Sequence, residues 1–198
     1  MRPSALTPAF VAPFAPTLET PRLRLRGCRV DDFPASAALW ADQAATRHVG
    51  GPRTTEESWG RLLRHAGHWA LLGCGVWVVE ERLAEGPAAF VGEIGFLDLK
   101  RDIDPPLSDA ATRRIEVGWV VSPAHQGKGY ATEAVQRALA WARQHFPAAP
   151  VVGEFVCTID PANTASLRVA AHCGFVQSHT AVARGKTLLV LTAPRSIE

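Results

Sequence analysis

The stretch from residue 113 to residue 159 limits the fold more than any other part of the chain. RRIEVGWVVS (113–122) is a Val-rich strand candidate that ends at Val121 or Ser122. PAHQGKG follows, then a long helix whose apolar face is Ala131, Ala134, Val135, Ala138, Leu139 and Ala142, and then the buried-type strand PVVGEFVCTI (150–159). Two strands joined through a crossover helix pair in parallel, whereas strands joined by tight turns pair antiparallel.

Upstream, the spacing predicts hairpin-linked strands. GVWVVEER (75–82) and AAFVGEIGFLDLK (88–100) are separated by a short Gly-Pro turn, and the polar loop RDIDPPLSDAAT leads to the strand at 113–122. LETPRLRLRGC alternates apolar and charged side chains and reads as one half-exposed strand. Asp31 is the expected N-cap of a helix carrying Phe33, Ala37, Trp40, Ala41 and Ala44. Thr54 and Glu57 have capping-box spacing ahead of the apolar stripe Trp59, Leu62, Leu63, Ala66 and Ala70. After residue 159, DPANTASLRVAAHCG is a short helix closed by Gly174, and FVQSHTAV and KTLLVLTA flank an Ala-Arg-Gly-Lys turn as a final hairpin. The expectation is one α/β (α+β) domain over residues 17–198, with a mixed, mostly antiparallel sheet of six to seven strands and about four helices, behind an extended tail over residues 1–16.

Composition narrows the function. The 198 residues are 47% hydrophobic and 20% charged, enough to bury a core. With 21 Lys plus Arg against 19 Asp plus Glu, the net charge of +2 is too balanced for a dedicated nucleic-acid binder or a polybasic membrane-surface protein. The longest apolar stretch, Trp69 to Val79, is broken by glycines and too short to span a bilayer. Pro3, Pro8, Pro13 and Pro16 interrupt any signal-peptide helix, and Cys28, Cys74, Cys157 and Cys173 lie far apart, so reduced thiols and a cytoplasmic location are expected.

The chemistry is concentrated in EVGWVVSPAHQGKGYATE (116–133). Amides at a helix start lack internal partners and sit at the positive end of the helix dipole, where they bind phosphate oxygens. Gly127 and Gly129 remove the Cβ atoms that would hold a diphosphate off the backbone, and Lys128 adds a mobile cation. The segment matches neither GxxxxGK[ST] nor GxGxxG. By itself Gly-Lys-Gly also fits a tight turn with a solvated lysine.

Gln126-x-x-Gly129-x-Ala131 just after a Val-Val strand end resembles the acetyl-coenzyme A signature of the GNAT N-acetyltransferase superfamily. Asn163-x-x-Ser166, with Gly174-Phe175 downstream, is similar to that family's second landmark, and LETPRLRLR and IEVGW are similar to the branch of ribosomal-protein N-terminal (Rim-type) acetyltransferases. The resemblance covers roughly residues 17 to 194. It implies an acetyl-CoA-dependent transfer of an acetyl group to a primary amine, either a protein N-terminus or a small molecule, with a homodimer as a further expectation and no nucleic acid, membrane or metal. It also implies that the strand at Trp119, Val120 and Val121 splays from its parallel neighbour to receive the pantetheine arm. A free N–H near Trp119 or Val120 would stabilise the thioester oxygen. The amides of Gln126, Gly127, Lys128, Gly129, Tyr130, Ala131 and Thr132 would hold the pyrophosphate, and Asn163 the pantetheine amide. Transfer of another acyl group, such as succinyl, and a silent acyl-CoA-binding domain are the competing readings.

The reaction needs a neutral amine and a proton for the departing thiolate. An α-amine of pKa about 8 is about a tenth neutral at pH 7, whereas a lysine of pKa about 10.4 is almost wholly charged and demands a base. Glu116 is the candidate base, or else a structural carboxylate bonded to Arg113, Arg114 or a neighbouring strand; Glu93 reads as an exposed strand residue and a lesser alternative. Many superfamily members have a tyrosine acid where this chain has Ala170, and Tyr130 is the only tyrosine; the resemblance to Rim-type relatives implies Ser166 as the candidate proton donor, directly or through water, or else it is a first-turn serine that satisfies a backbone N–H. His65 and His68 are expected at a helix edge, His172 and His179 at the surface, and Cys173 as a packed thiol. Trp40 and Trp59 read as core-packing residues, or else, as the resemblance implies for the first two helices, Trp40 or Trp59 would line an amine pocket, and the long loop with Asp102, Asp104 and Asp109 would carry solvated charges.

Overall fold

The structure is a computed structural model that describes residues 15–83, 86, 88–108, 114–146 and 153–194. Asp109, Arg113 and most of the 1–16 tail lie outside the described residues. Eight strands form one sheet in the order β1-β2-β3-β4-β5-β6-β8-β7: β1 (Leu18–Glu19), β2 (Leu23–Arg26), β3 (Val76–Glu81), β4 (Ala89–Leu97), β5 (Arg114–Val121), β6 (Glu154–Ile159), β7 (Val176–Ala183) and β8 (Lys186–Pro194). Five helices accompany them: α1 (Phe33–Ala41), α2 (Gln43–Thr46), α3 (Thr55–Leu72), α4 (Tyr130–His145) and α5 (Thr164–His172).

The mixed, mostly antiparallel sheet follows the sequence pattern, with β5 and β6 parallel across α4. The eighth strand comes from the N-terminal segment. Pro21 cannot donate to a ladder, so LETPRLRLR folds back on itself, and Leu18 pairs with Leu25. The first helix also begins differently. Asp32, not Asp31, is the N-terminal anchor: its carboxylate accepts from the Arg29 amide (2.6 Å) and pairs with Arg26, which reaches Glu80 on β3. Asp42 then caps α2 by accepting from the Ala45 amide (2.8 Å), which breaks the single helix expected through Ala44. The Thr54–Glu57 capping box and the left-handed Gly73 bound α3 as the sequence indicates.

The main core lies between the sheet and α4. Val117 and Val121 of β5 pack with Ala134, Val135, Ala138 and Leu139, and Trp69, Trp77, Trp141 and Phe96 interlock beside them, mostly edge to face. Side chains alternate along a strand, so Glu116, Gly118 and Val120 face the other side of the sheet. There Leu62 of α3 packs with Val78 and Cys28.

The polar loop after β4 keeps Asp102 and Asp104 exposed, as expected, but it is pinned to the sheet. Ile103 and Leu107 pack on Val156, Ala181 and Val190, and the Asp104 backbone exchanges hydrogen bonds with Val182 of β7 (3.0 and 2.7 Å). Two half-buried apolar residues among the aspartates fix the loop against the sheet, each at a gain below the roughly 1.5–3 kcal/mol of a fully buried side chain.

Candidate active site

The gap between β5 and β6 is the centre of the site. Their pairing runs from Arg114–Glu154 to Glu116–Val156, and no further. Beyond it, β5 continues to Val121 on β4, while β6 continues to Ile159 on β8. The Ser122 amide donates to Val91 on β4 (2.9 Å), so strand alternation turns the main-chain groups of Val120 toward β4 and those of Trp119 and Val121 toward the gap. Of the two amides considered from sequence, Trp119 N–H is therefore the one that faces the opening. The Val121 carbonyl accepts from the Gln126 side chain (3.0 Å), which ties the following turn to the strand end.

That turn is built from left-handed glycines, Gly127 at φ 76° and Gly129 at φ 79°. A Cβ at Gly127 would meet nothing within 4 Å, so the main chain there is open to a ligand. Gly129 precedes α4, and no side chain caps the helix. Arg22 fixes the peptide planes. Its Nη1 donates to the Lys128 carbonyl (2.9 Å) and its Nε to Glu133 (2.7 Å), which also accepts from Thr20 (2.6 Å). Because a trans peptide points its N–H opposite its C=O, the Gly129 amide faces away from Arg22. These hydrogen bonds from Thr20 and Arg22 hold the Glu133 carboxyl below the usual range despite its partial burial. Sequence reading missed the Arg22–Glu133 clamp, because nothing in a distant, exposed-looking arginine signals it.

Lys128 is exposed, 5.9 Å from the Tyr130 ring centre. Tyr130 itself is buried and donates its hydroxyl to Glu81, so it offers the turn only its amide. The Thr132 carbonyl accepts from Cys173 Sγ (3.8 Å), which accounts for that thiol as a packed one.

Across the gap, Asn163 caps α5 through Oδ1, which accepts from the Ser166 amide (3.1 Å) and leaves the carboxamide N–H groups for other partners. The Ser166 hydroxyl accepts from the Trp119 indole N–H (3.2 Å), so its own proton is left to give. This bond joins β5 to α5 over the open gap.

Glu116 lies on the opposite face, at the last paired position before the strands part. Both its oxygens accept from Arg101 (2.6 Å each), and Oε1 also accepts from Thr158 of β6 (2.9 Å). Burial pushes its carboxyl up, and the Arg101 charge with these hydrogen bonds opposes the rise. The partners named from sequence were Arg113 and Arg114 or a neighbouring strand; the arginine is Arg101 from the long loop, and the strand partner is Thr158, while Arg114 pairs with Glu154.

Glu93 is not the exposed residue its strand position suggested. It is 3% exposed, sits opposite Val120, and accepts from Ser36 Oγ (2.5 Å) and Trp40 Nε1 (2.8 Å) of α1. Burial raises its carboxyl above the usual range, opposed by those two hydrogen bonds. His65 is also buried, with Nδ1 3.8 Å from Glu93, and burial drives its imidazole well below the usual value; His68 is buried beside it. Neither histidine stands at a helix edge. Trp40, not the half-exposed Trp59, belongs to this wall.

A chain of this fold and site has known counterparts. The sequence profile of the acetyltransferase (GNAT) domain matches residues 22–176. An acetyltransferase from Agrobacterium tumefaciens is 27% identical, with a TM-score of 0.70 over 89% of this chain and 93% of its own. RimL, the ribosomal L7/L12 alpha-N-protein acetyltransferase, solved in complex with coenzyme A, is 14% identical, with a TM-score of 0.70 over 90% and 98%. The microcin C7 self-immunity acetyltransferase MccE, solved with acetyl-CoA and AMP, is 13% identical, with a TM-score of 0.68 over 88% and 93%. The chain belongs to the GNAT acetyltransferase family, whose activity is acyl transfer and whose members are solved with CoA and acetyl-CoA. Among the described residues, no helix is long and apolar enough to cross a membrane.

Proposed function

We propose that the chain is an acetyl-CoA-dependent N-acetyltransferase of the Rim-like branch, which transfers an acetyl group to a primary amine, a protein N-terminus or a small molecule, by direct attack in a ternary complex. The observation that carries this reading is the uncapped glycine turn placed where β5 leaves β6. In this reading the amides of Gln126, Gly127, Lys128, Gly129, Tyr130, Ala131 and Thr132 hold the pyrophosphate, with Lys128 as a screening cation. The Asn163 carboxamide N–H binds the pantetheine arm, which lies along the gap-facing main chain of Trp119 and Val121 and the side of Val120. Bound acetyl-CoA supplies an activated acyl thioester. Trp119 N–H stabilises its oxygen as negative charge develops there, and Ser166 gives its proton to the leaving sulfur.

Glu116 is the base of this scheme and draws the amine proton through water. Its engagement by Arg101 and Thr158 also favours a second reading, in which it anchors the loop and an α-amine is deprotonated by solvent. Glu116→Gln separates the two: a base variant loses the acidic limb of the pH profile of kcat/KM, and an anchor variant loses stability with that limb intact. The cytoplasmic location belongs to the same proposal and is supported by four buried cysteines held as thiols. A homodimer belongs to it as well, by analogy with relatives alone.

The decisive experiment is CoA release from acetyl-CoA by the purified protein across short peptides, polyamines and amino acids. Amine-dependent release supports the reading. Release that no amine accelerates sinks the reading, binding of CoA without turnover favours a silent binding domain, and faster use of succinyl-CoA assigns another donor.

A further inference from the structure

On the side of the sheet that carries Glu93, α3 bears positive charge that no side chain among the described residues neutralises by contact. The Arg61 guanidinium carbon lies 3.4 Å from the centre of the Trp40 ring. Its Nε is buried without a hydrogen-bond partner, and among the described residues Arg61 forms no ion pair. Arg64 is on the same helix face, one turn further on. Arg53, just before α3, donates its amide to the Trp40 carbonyl (2.8 Å) and its guanidinium to the Val49 carbonyl (3.3 Å). Burial, joined by the charges of Arg64 and Arg53 and opposed by Glu93, pushes Arg61 down to about 10. A half-buried guanidinium that reaches no carboxylate among the described residues is a cost the fold bears, unless an acceptor from outside pairs with it.

Its position says what that acceptor is part of. Trp40 donates to Glu93, Glu93 sits opposite Val120, and the neighbouring Trp119 N–H faces the gap. Arg61 is therefore one indole ring away from the wall over which an amine reaches the thioester. Glu93 is taken up by Ser36 and Trp40, and Glu116 by Arg101 and Thr158. Neither of these carboxylates is free to pair with the second cation of a polyamine, while Arg64 and Arg53 add positive charge around Arg61.

Building on the N-acetyltransferase reading, we propose that Arg61, supported by Arg64 and Arg53, is an anion subsite, and that the acceptor is a primary amine bearing a carboxylate. The planar guanidinium fork matches a carboxylate with two parallel N–H bonds, and stacking on Trp40 fixes the plane in advance. An acidic side chain next to a peptide N-terminus and the carboxylates of a free amino acid both present this chemistry.

The test measures CoA release with peptide amides that differ only in their second residue (Glu, phosphoserine, Gln or Lys) and with free glutamate beside its amides. The inference expects kcat/KM for the Glu peptide or for glutamate to exceed that of the neutral partner by about tenfold to a hundredfold, carried mainly in KM. Which of the two leads identifies the source, and a phosphoserine peptide that outruns both overturns the assignment to a carboxylate. Arg61→Gln is expected to collapse the acidic-to-neutral ratio toward one. A purely structural role would lower both acceptors together and leave that ratio unmoved. Arg64→Gln, at an exposed position, tests the same ratio without disturbing the Trp40 stack, with a smaller fall of about threefold for a partly screened charge. Equal or better use of the Gln or Lys peptide overturns the subsite and leaves the transferase reading standing. A rate of release that no amine of any kind raises above the amine-free rate removes the transferase reading itself.

Discussion

The glycine turn at Gln126–Thr132 and the cluster around Glu93 flank the end of β5, but one works through main chain and the other through side chains. The turn takes its geometry from two left-handed glycines and an uncapped helix start, all within one short run of sequence. The Glu93 cluster draws on Ser36 and Trp40 of α1, Arg61 and His65 of α3 and a central strand, gathered by the fold alone. A backbone site is specified locally and tolerates change in its neighbours. A buried side-chain site depends on every partner at once.

That contrast is tested most strongly by Glu93→Ala. It leaves the Trp40 indole N–H and the Ser36 hydroxyl buried without their acceptor, at about 1–3 kcal/mol for each orphaned group. A fall in Tm of many degrees is expected, with CoA affinity of the folded protein unchanged. Glu93→Gln, which keeps one acceptor, falls between. A variant as stable as the parent would show that the cluster is not integral to the wall.

The reverse pattern is expected for Gly129→Val. A branched residue at φ 79° is strained by about 1–2 kcal/mol, and its Cβ would stand 3.5 Å from Arg22 Nη2, so it presses on the clamp that sets the peptide planes of the turn. CoA affinity measured by calorimetry is expected to drop by at least about tenfold, while Tm moves by only a few degrees. Unchanged affinity would remove the turn from the site.

Arg101→Met sharpens the account of Glu116. Arg101 opposes the upward push of burial, so its loss raises the Glu116 carboxyl further. A carboxyl that is raised in the folded state favours folding at pH values below its unfolded pKa and loses that contribution as pH rises through the folded pKa. The variant is therefore expected to be least impaired near pH 4 and progressively less stable toward pH 7. If Glu116 is the base, the acidic limb of kcat/KM shifts to higher pH as well; a stability change with a fixed limb identifies an anchor.

How much of this was written in the sequence follows the same division. The strand–turn–helix–strand unit, the Thr54–Glu57 capping box, the Gly174 stop and the final hairpin were legible because periodicity and capping are local. The extra strand hung on one proline, and the start of α1 on which of two adjacent aspartates Arg26 would reach. Glu93 and His65 were misplaced because a polar residue in a strand or on a helix rim is exposed unless something distant covers it. Arg101 was passed over inside a loop read for its carboxylates, although Ile103 and Leu107 were the signal that the loop would pack.

Ser166→Ala is the smallest expected effect and joins the two halves of the site. Ser166 accepts from the Trp119 indole, so truncation removes both the proposed acid and the bond across the gap. A thiol of pKa about 8.5 already leaves tolerably well as a thiolate, so the loss of the proton donor is limited, and kcat is expected to fall by about tenfold or less. The Asn163 cap is untouched, because it uses the Ser166 amide. CoA affinity should therefore hold while kcat drops, and the drop should grow with pH as solvent protons become scarce. A loss of affinity without a change in kcat would make Ser166 a strut between β5 and α5, and would leave the departing sulfur to water.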